Sequence, residues 1–127
     1  MKEFMLYIRN HADSKESLTP ASHLEFVRKC EVYIGNLTRE GKLIAAQPLV
    51  REGKMISGTN GSWKESAYNE SNEIMVGYYH IRAKDMDEAI AIAKDNPEFE
   101  YTTTARIEVR PVKMKEEATG FEYPKTV

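Results

Sequence analysis

His11, His23 and His80 are the side chains of this sequence whose ordinary titration falls near neutral pH, so proton transfer is the first chemistry to look for. His23 lies in TPASHLEF, in the first turn of an expected helix, where an imidazole oriented by a carboxylate can act as a general acid or base. A plain histidine on the helix surface is the alternative. His80 lies in the aromatic run EIMVGYYHIRA with Tyr78 and Arg82 at alternate positions, so on a strand the three share one face and could hold an anionic group. A hydrogen-bonded interface histidine is the competing reading. Arg110 would join Arg82 as the second arm of an anion clamp, unless it pairs across strands or with Glu108. The segment GTNGSWKESAYNES is too rich in Gly, Ser and Asn for regular structure, and a loop of about a dozen residues in a compact domain is more often functional than idle. Glu65 and Tyr68 are read as part of a ligand cleft there, with Trp63 and Tyr68 either covering it or anchoring the loop to the core.

Other chemistries are absent from the pattern. The histidines show no short ligand spacing such as His-x-x-x-His, and neither a metal nor a cofactor is expected. Cys30 sits mid-helix beside apolar residues and reads as packing. Being the single cysteine, it has no intramolecular disulfide partner. The formal net charge of -2 comes with no basic stripe, which argues against a nucleic-acid partner. The run MKEFMLYIRN lacks a signal-peptide core and no apolar stretch reaches the ~20 residues of a membrane span, so a cytoplasmic protein without membrane association is expected.

The elements that must position these residues follow from periodicity. At 127 residues, 41% hydrophobic and 30% charged, the chain fits one folded domain. Residues 3–9 (EFMLYIR) alternate with bulk on both faces, as in a central strand. Thr19 and Pro20 look like an N-cap and a first-turn proline, opening a helix over residues 20–40 whose stripe is Leu24, Val27, Glu31, Ile34 and Leu37, with Gly41 as its stop. Residues 43–50 (LIAAQPLV) read as a strand that Pro48 confines to a sheet edge, and residues 54–57 as a short extra hairpin arm. Residues 73–83 form the strongest strand, with Met75, Gly77, Tyr79 and Ile81 on one face and Ile74, Val76, Tyr78, His80 and Arg82 on the other. Asp85 and Glu88 resemble a capping box for a second helix ending before Asn96 and Pro97. Residues 105–112 (ARIEVRPV) make the last strand.

The order β-α-β-β-α-β is the split βαβ, or ferredoxin-like, unit: an α+β sandwich with both helices on one face of an antiparallel sheet. Residues 1–112 form this domain and residues 113–127 its C-terminal arm. Phe4, Leu6, Ile8, Met75, Tyr79, Ile81, Ile107 and Val109 should face the helices. The open face, with Tyr7, Arg9, Tyr78, His80, Arg82, Arg106, Glu108 and Arg110, is too sticky for free solvent, so a homodimer packed over a wet cleft is expected.

With these residues in place, the chain resembles the YCII-related superfamily, in the branch named for an Asp-Gly-Pro-Phe (DGPF) motif. The resemblance rests on FMLYIRN, EGKLIAAQPL, GYYHIRAKDMDEAIAIAKDNP and IEVRPV, and covers nearly the whole chain. The name-giving motif falls on ESAYNESNE, which keeps its acidic and aromatic character without the Gly and Pro. The resemblance implies a ferredoxin-like subunit dimerising into an α+β barrel, and no established reaction. It also implies an enzyme-like His and Asp pair: His23 is similar to that His, while the Asp-Pro position is occupied by Asn96 and Pro97, with Asp95 one residue earlier.

The expectation is a cleft at the dimer interface, between the open sheet face, the start of the first helix and the loop around Glu65. It would bind a small polar or anionic molecule, with His23, His80 and Asp95 as acid/base groups and Tyr78, Arg82, Arg110, Glu65 and Tyr68 as binding groups. A non-catalytic binding or regulatory dimerisation domain is the alternative.

Overall fold

A computed structural model describes residues 1–124. Strand β1 (Lys2–His11) and strand β5 (Glu73–Ala83) pair antiparallel at the centre of a four-stranded sheet, with β2 (Leu43–Pro48) beside β5 and β6 (Arg106–Pro111) beside β1. β2 is therefore the edge strand that Pro48 requires. Helices α1 (Pro20–Arg39) and α2 (Met86–Lys94) cover one face, which makes this the expected ferredoxin-like α+β fold. Thr19 caps α1 by accepting the Ser22 N–H at 3.1 Å, and Asp85 caps α2 by accepting the Glu88 N–H at 2.9 Å. A single helical turn, α3 (Glu98–Tyr101), follows Pro97 and was not expected from the periodicity. The C-terminal arm is described to Pro124 and folds back on itself, with Tyr123 donating to Glu116 and Phe121 stacked edge-on against Tyr123. Its last residues, 125–127, lie outside the described residues. No helix of the described residues is long and apolar enough to cross a membrane.

The segment expected to be an irregular loop is instead half of a hairpin. Strand β3 (Lys54–Thr59) pairs with β4 (Ser62–Ala67) through the turn Asn60-Gly61, where Gly61 takes a φ of 84° that suits a hairpin turn. The usual alternation signal is weak because both faces of this two-stranded arm are exposed, Trp63 included at 65%.

The central pairing carries an irregularity that changes which residues face the helices. Ile8 pairs with Gly77 but Arg9 pairs with Met75, so Val76 is an extra residue in β5. The alternation of β5 reverses there. Ile74 and Val76 enter the core with Phe4, Leu6, Ile8, Tyr79 and Ile81, and Met75 turns to the open face beside Arg9, the opposite of the strict period-2 expectation for these three residues. α1 also seats differently from its expected stripe. Tyr33 and Leu37 are its buried residues, with Phe26, Cys30 and Ile34 half-buried, whereas Leu24 and Val27 are exposed. The first half of the helix thus stands off the sheet.

Gly77 lies where β5 approaches the edge strand. A Cβ there would come within 2.9 Å of the Gln47 carbonyl oxygen and 3.2 Å of Pro48 Cα, both backbone atoms that cannot rotate away. Gly77→Ala is expected to lower the unfolding free energy by about 1–3 kcal/mol in urea denaturation, a cost typical of overpacking; a variant as stable as the parent would show that β2 yields freely.

Candidate functional site

Because α1 stands off the sheet at its N-terminal half, it roofs a cavity of about 320 Å³. Ile8, Val76, Gly77 and Tyr79 form the floor, Phe26, Val27, Cys30 and Ile34 the roof, and Ala46 and Pro48 one side. Polar groups gather at the margins: Lys15 from the β1–α1 connection, His23 from the first turn of α1, Arg51 beyond β2, and Asn96 and Glu98 from the α2–α3 connection. A mostly apolar hollow of this size with a few polar groups has the form of a small-molecule site.

The polar wall is built from the end of β1. Asn10 continues the inward-facing series Phe4, Leu6 and Ile8, and its side chain is completely buried. Its Nδ2 donates to Glu98 Oε1 at 3.0 Å and to Thr102 Oγ1 at 2.9 Å, while its Oδ1 accepts from Thr104 Oγ1 at 2.6 Å and from the His11 N–H at 2.8 Å. Every polar atom of the amide is used, as burial demands. Glu98, 4% exposed, also takes an ion pair from Lys15, whose ammonium lies 4.7 Å from the Phe26 ring centroid. A buried carboxylate is tolerable only with such partners.

Asn96 is the exception. It is 3% exposed and its Oδ1 accepts the Glu98 N–H at 2.8 Å, but its Nδ2 has no hydrogen-bond partner among the described residues. Two phenols lie close to it. Burial is the main cause that pushes the Tyr33 and Tyr79 hydroxyls far above the usual tyrosine range, and the nearby Asn96 amide opposes the shift in each. Both remain neutral phenols, with Tyr33 donating to the Ile92 carbonyl at 2.6 Å. Burial, reinforced by Glu98, likewise pushes the Cys30 thiol up to about 11. It lines the cavity as an apolar group and not as a nucleophile.

The expected site residues are distributed over two faces. His23 is exposed at the cavity mouth, its ring centroid 6.5 Å from that of Phe26. Asp95 caps the end of α2, exposed, in the groove between α1 and α2; the inward position belongs to Asn96. His80 is on the opposite sheet face, so within one subunit it does not share a cleft with His23. The cause is the sheet itself: inward and outward residues of β5 are separated by its thickness.

On that open face the register sets out rows: Ala45, His80, Met5 and Arg110; Gln47, Tyr78, Tyr7 and Glu108; Met75, Arg9 and Arg106. His80 Nε2 is 2.8 Å from Glu3 Oε1, and both line a hollow of about 130 Å³ with Arg82 and Tyr123. Arg110 pairs with Glu108 at 3.1 Å, the ion pair that was the alternative to its joining Arg82. Arg110 and Arg9 together hold the Glu108 carboxyl below its usual range. Glu65 is exposed on β4, and Tyr68 packs half-buried against the core beside Gly53. Lys15, Asn10, Asn96 and Glu98 were not singled out from sequence as a site. The signal was the run Asn-Pro-Glu after α2, which also reads as an ordinary helix stop. Among the described residues no group of His, Cys, Asp and Glu is arranged to hold a metal.

A four-stranded antiparallel sheet with two helices and a cavity on one face defines a ferredoxin-like α+β domain. The family profile of the YCII-related domain matches residues 4–113, and the chain belongs to that family. Among solved structures, the 5-chloro-2-hydroxyhydroquinone dehydrochlorinase TftG from Burkholderia phenoliruptrix AC1100, in complex with 2,5-dihydroxybenzoquinone, aligns over 84% of this chain and 90% of its own, at 15% identity and a TM-score of 0.49. No curated protein matches the chain.

Cys30 is expected to react with iodoacetamide at pH 8 roughly a hundredfold more slowly than an unperturbed thiol, since the thiolate is the reactive form. Mass spectrometry of the alkylated chain over time measures this, and a rate equal to that of free cysteine would contradict the buried placement.

Proposed function

We propose that this protein binds a small, largely apolar molecule through an oxygen acceptor in the cavity under α1, with His23 at the mouth as the group that gives or takes a proton. The observation that carries this reading is the cavity itself, about 320 Å³ with an apolar floor and roof and with Lys15, His23 and Arg51 at its margin. The apolar floor and roof supply affinity for the body of such a ligand, and Arg51 at the margin favours one with developing negative charge. His23, with access to both solvent and the cavity, is placed for general acid/base exchange.

Titration of small cyclic ketones, phenols and benzoates, followed by ligand-observed NMR, tests this. Arg51→Met, which removes the charged donor at the margin, is expected to weaken acceptor-bearing binders about tenfold, the worth of one hydrogen bond from a charged group. His23→Gln should leave their affinity within about threefold, since the imidazole is assigned to proton transfer and not to holding the ligand. Absence of any binder in the panel, or unchanged affinity in Arg51→Met, would refute the assignment.

A second reading concerns the open face, and a separate observation favours it. Met5, Tyr7, Met75 and Tyr78 are half-buried among arginines on a sheet face that no helix of the described residues covers, the C-terminal arm reaching only its His80 and Arg82 end. We propose that a second copy covers it, making a homodimer in which His80, Glu3 and Arg82 line the interface. Sedimentation equilibrium should then give a dimer for the parent chain and a monomer for Tyr7→Glu, which places a charge in the middle of the patch. A monomeric parent at high micromolar concentration would overturn this.

A further inference from the structure

The cavity under α1 is divided by charge. At its inner wall the ionised carboxylate is Glu98, already neutralised by Lys15 and bonded by Asn10. Cys30 and Tyr79 line the same interior as an uncharged thiol and an uncharged phenol, and the Asn96 amide nitrogen is sealed from the hollow. At the mouth the situation is reversed. Arg51 is exposed there, gives one hydrogen bond to the Leu49 carbonyl at 3.1 Å and has no ion-pair partner among the described residues. Glu31, exposed on α1, is the other charge of the margin without an ion pair among the described residues. A charge on a ligand would therefore find a free counter-charge at the entrance and none inside.

We infer that the ligand is an apolar monocarboxylate bound body-first, its ring or chain inside the cavity and its carboxylate at the mouth on the Arg51 guanidinium. This rests on the cavity reading above and names the ligand class and its direction. A carboxylate carried inward would lose its hydration and meet the like charge of Glu98. One left at the mouth keeps part of its hydration and gains a planar, two-pronged partner. A single free guanidinium beside a margin that also holds Glu31 balances one negative charge, which favours a carboxylate over a phosphate monoester. The hollow of about 320 Å³ has room for about ten heavy atoms at the roughly 30 Å³ that a water occupies in the liquid, the size of a small substituted ring or a short acyl chain. Ile8, Phe26, Ile34 and Val76 supply its apolar contacts. Arg51 is on this assignment the specificity-determining residue, and His23 keeps the proton-transfer role.

The test uses the intact chain and three probes built on one ring: cyclohexanecarboxylate, cyclohexanecarboxamide and trans-cyclohexane-1,4-dicarboxylate. Calorimetry or ligand-observed NMR at low ionic strength is expected to show the carboxylate binding about fivefold more tightly than the isosteric amide, the upper end of what a partly exposed ion pair contributes. The dicarboxylate must send one charge inward and should bind about a hundredfold more weakly than the monocarboxylate. In Arg51→Met the preference for carboxylate over amide should fall to about twofold or less, and Arg51→Lys should restore part of it, keeping the charge without the fork. Arg51 is exposed and lies outside every helix and strand, so both variants are expected to fold. Equal affinities for carboxylate and amide would overturn the headgroup assignment, and a dicarboxylate as tight as the monocarboxylate would overturn the direction of binding. If none of the three binds while ketones or phenols of the wider panel do, the ligand class is wrong and the site stands; if nothing in either set binds, the site itself falls.

Discussion

Val76, the extra residue that β5 carries opposite Ile8 and Arg9, is the constraint on which the arrangement of this domain depends. Without it, strict alternation would put Ile74 and Val76 outward and Met75 under the helices. With it, the upper half of β5 delivers two β-branched side chains to the core beside Asn10, and the lower half delivers Tyr79 and Ile81 in the opposite phase. A bulge also sharpens local twist. Here it is adjacent to Gly77, the residue that lets the backbone of β2 approach closely, and Val76, Gly77 and Tyr79 together become the floor of the cavity. Core and site thus share one irregularity of the backbone.

The second requirement is electrostatic. A carboxylate as buried as Glu98 survives desolvation only because Lys15 and Asn10 reach it, and these come from the end of β1 and the connection that follows. The network ties that connection to the α2–α3 segment across the mouth of the sheet, where Thr102 and Thr104 complete the bonding of Asn10. It explains why the irregular segment before α1 is held close to the cavity even though it contributes little apolar surface of its own.

The core architecture was legible in the sequence where periodicity and end signals agreed. Thr19-Pro20, Asp85 with Glu88, Pro48 at an edge and the alternating run of β1 each specify a local geometry through a single physical rule, and each is found. The hairpin arm was expected from residues 54–57, but its second strand, β4, escaped because Asn60-Gly61 lies between strands exposed on both faces, which have no inward series to reveal them. The facing of Ile74, Met75 and Val76 escaped because a bulge leaves no mark in composition. The open-face residues His80, Tyr78 and Arg82 were placed correctly on one side, but their separation from His23 depends on which side α1 occupies. The cavity wall was hidden for a different reason. Asn10 and Lys15 are far from Glu98 in the chain and each resembles an ordinary surface residue until the fold brings them together, and Asn96 looks like the end of a helix.

The two polar groups on the cavity wall are delivered by one three-residue stretch, stiffened by Pro97 and by the hydrogen bond between its own ends. The entrance is bounded by α1, and the first half of that helix is tied to α3 by Tyr101 donating to Glu25, by the Lys29–Glu100 ion pair and by Phe26 packed edge-on against Tyr101. Entrance and wall are therefore mechanically linked: a shift of the helix would carry the wall with it, and substitutions along that side of α1 would change entry and fit together.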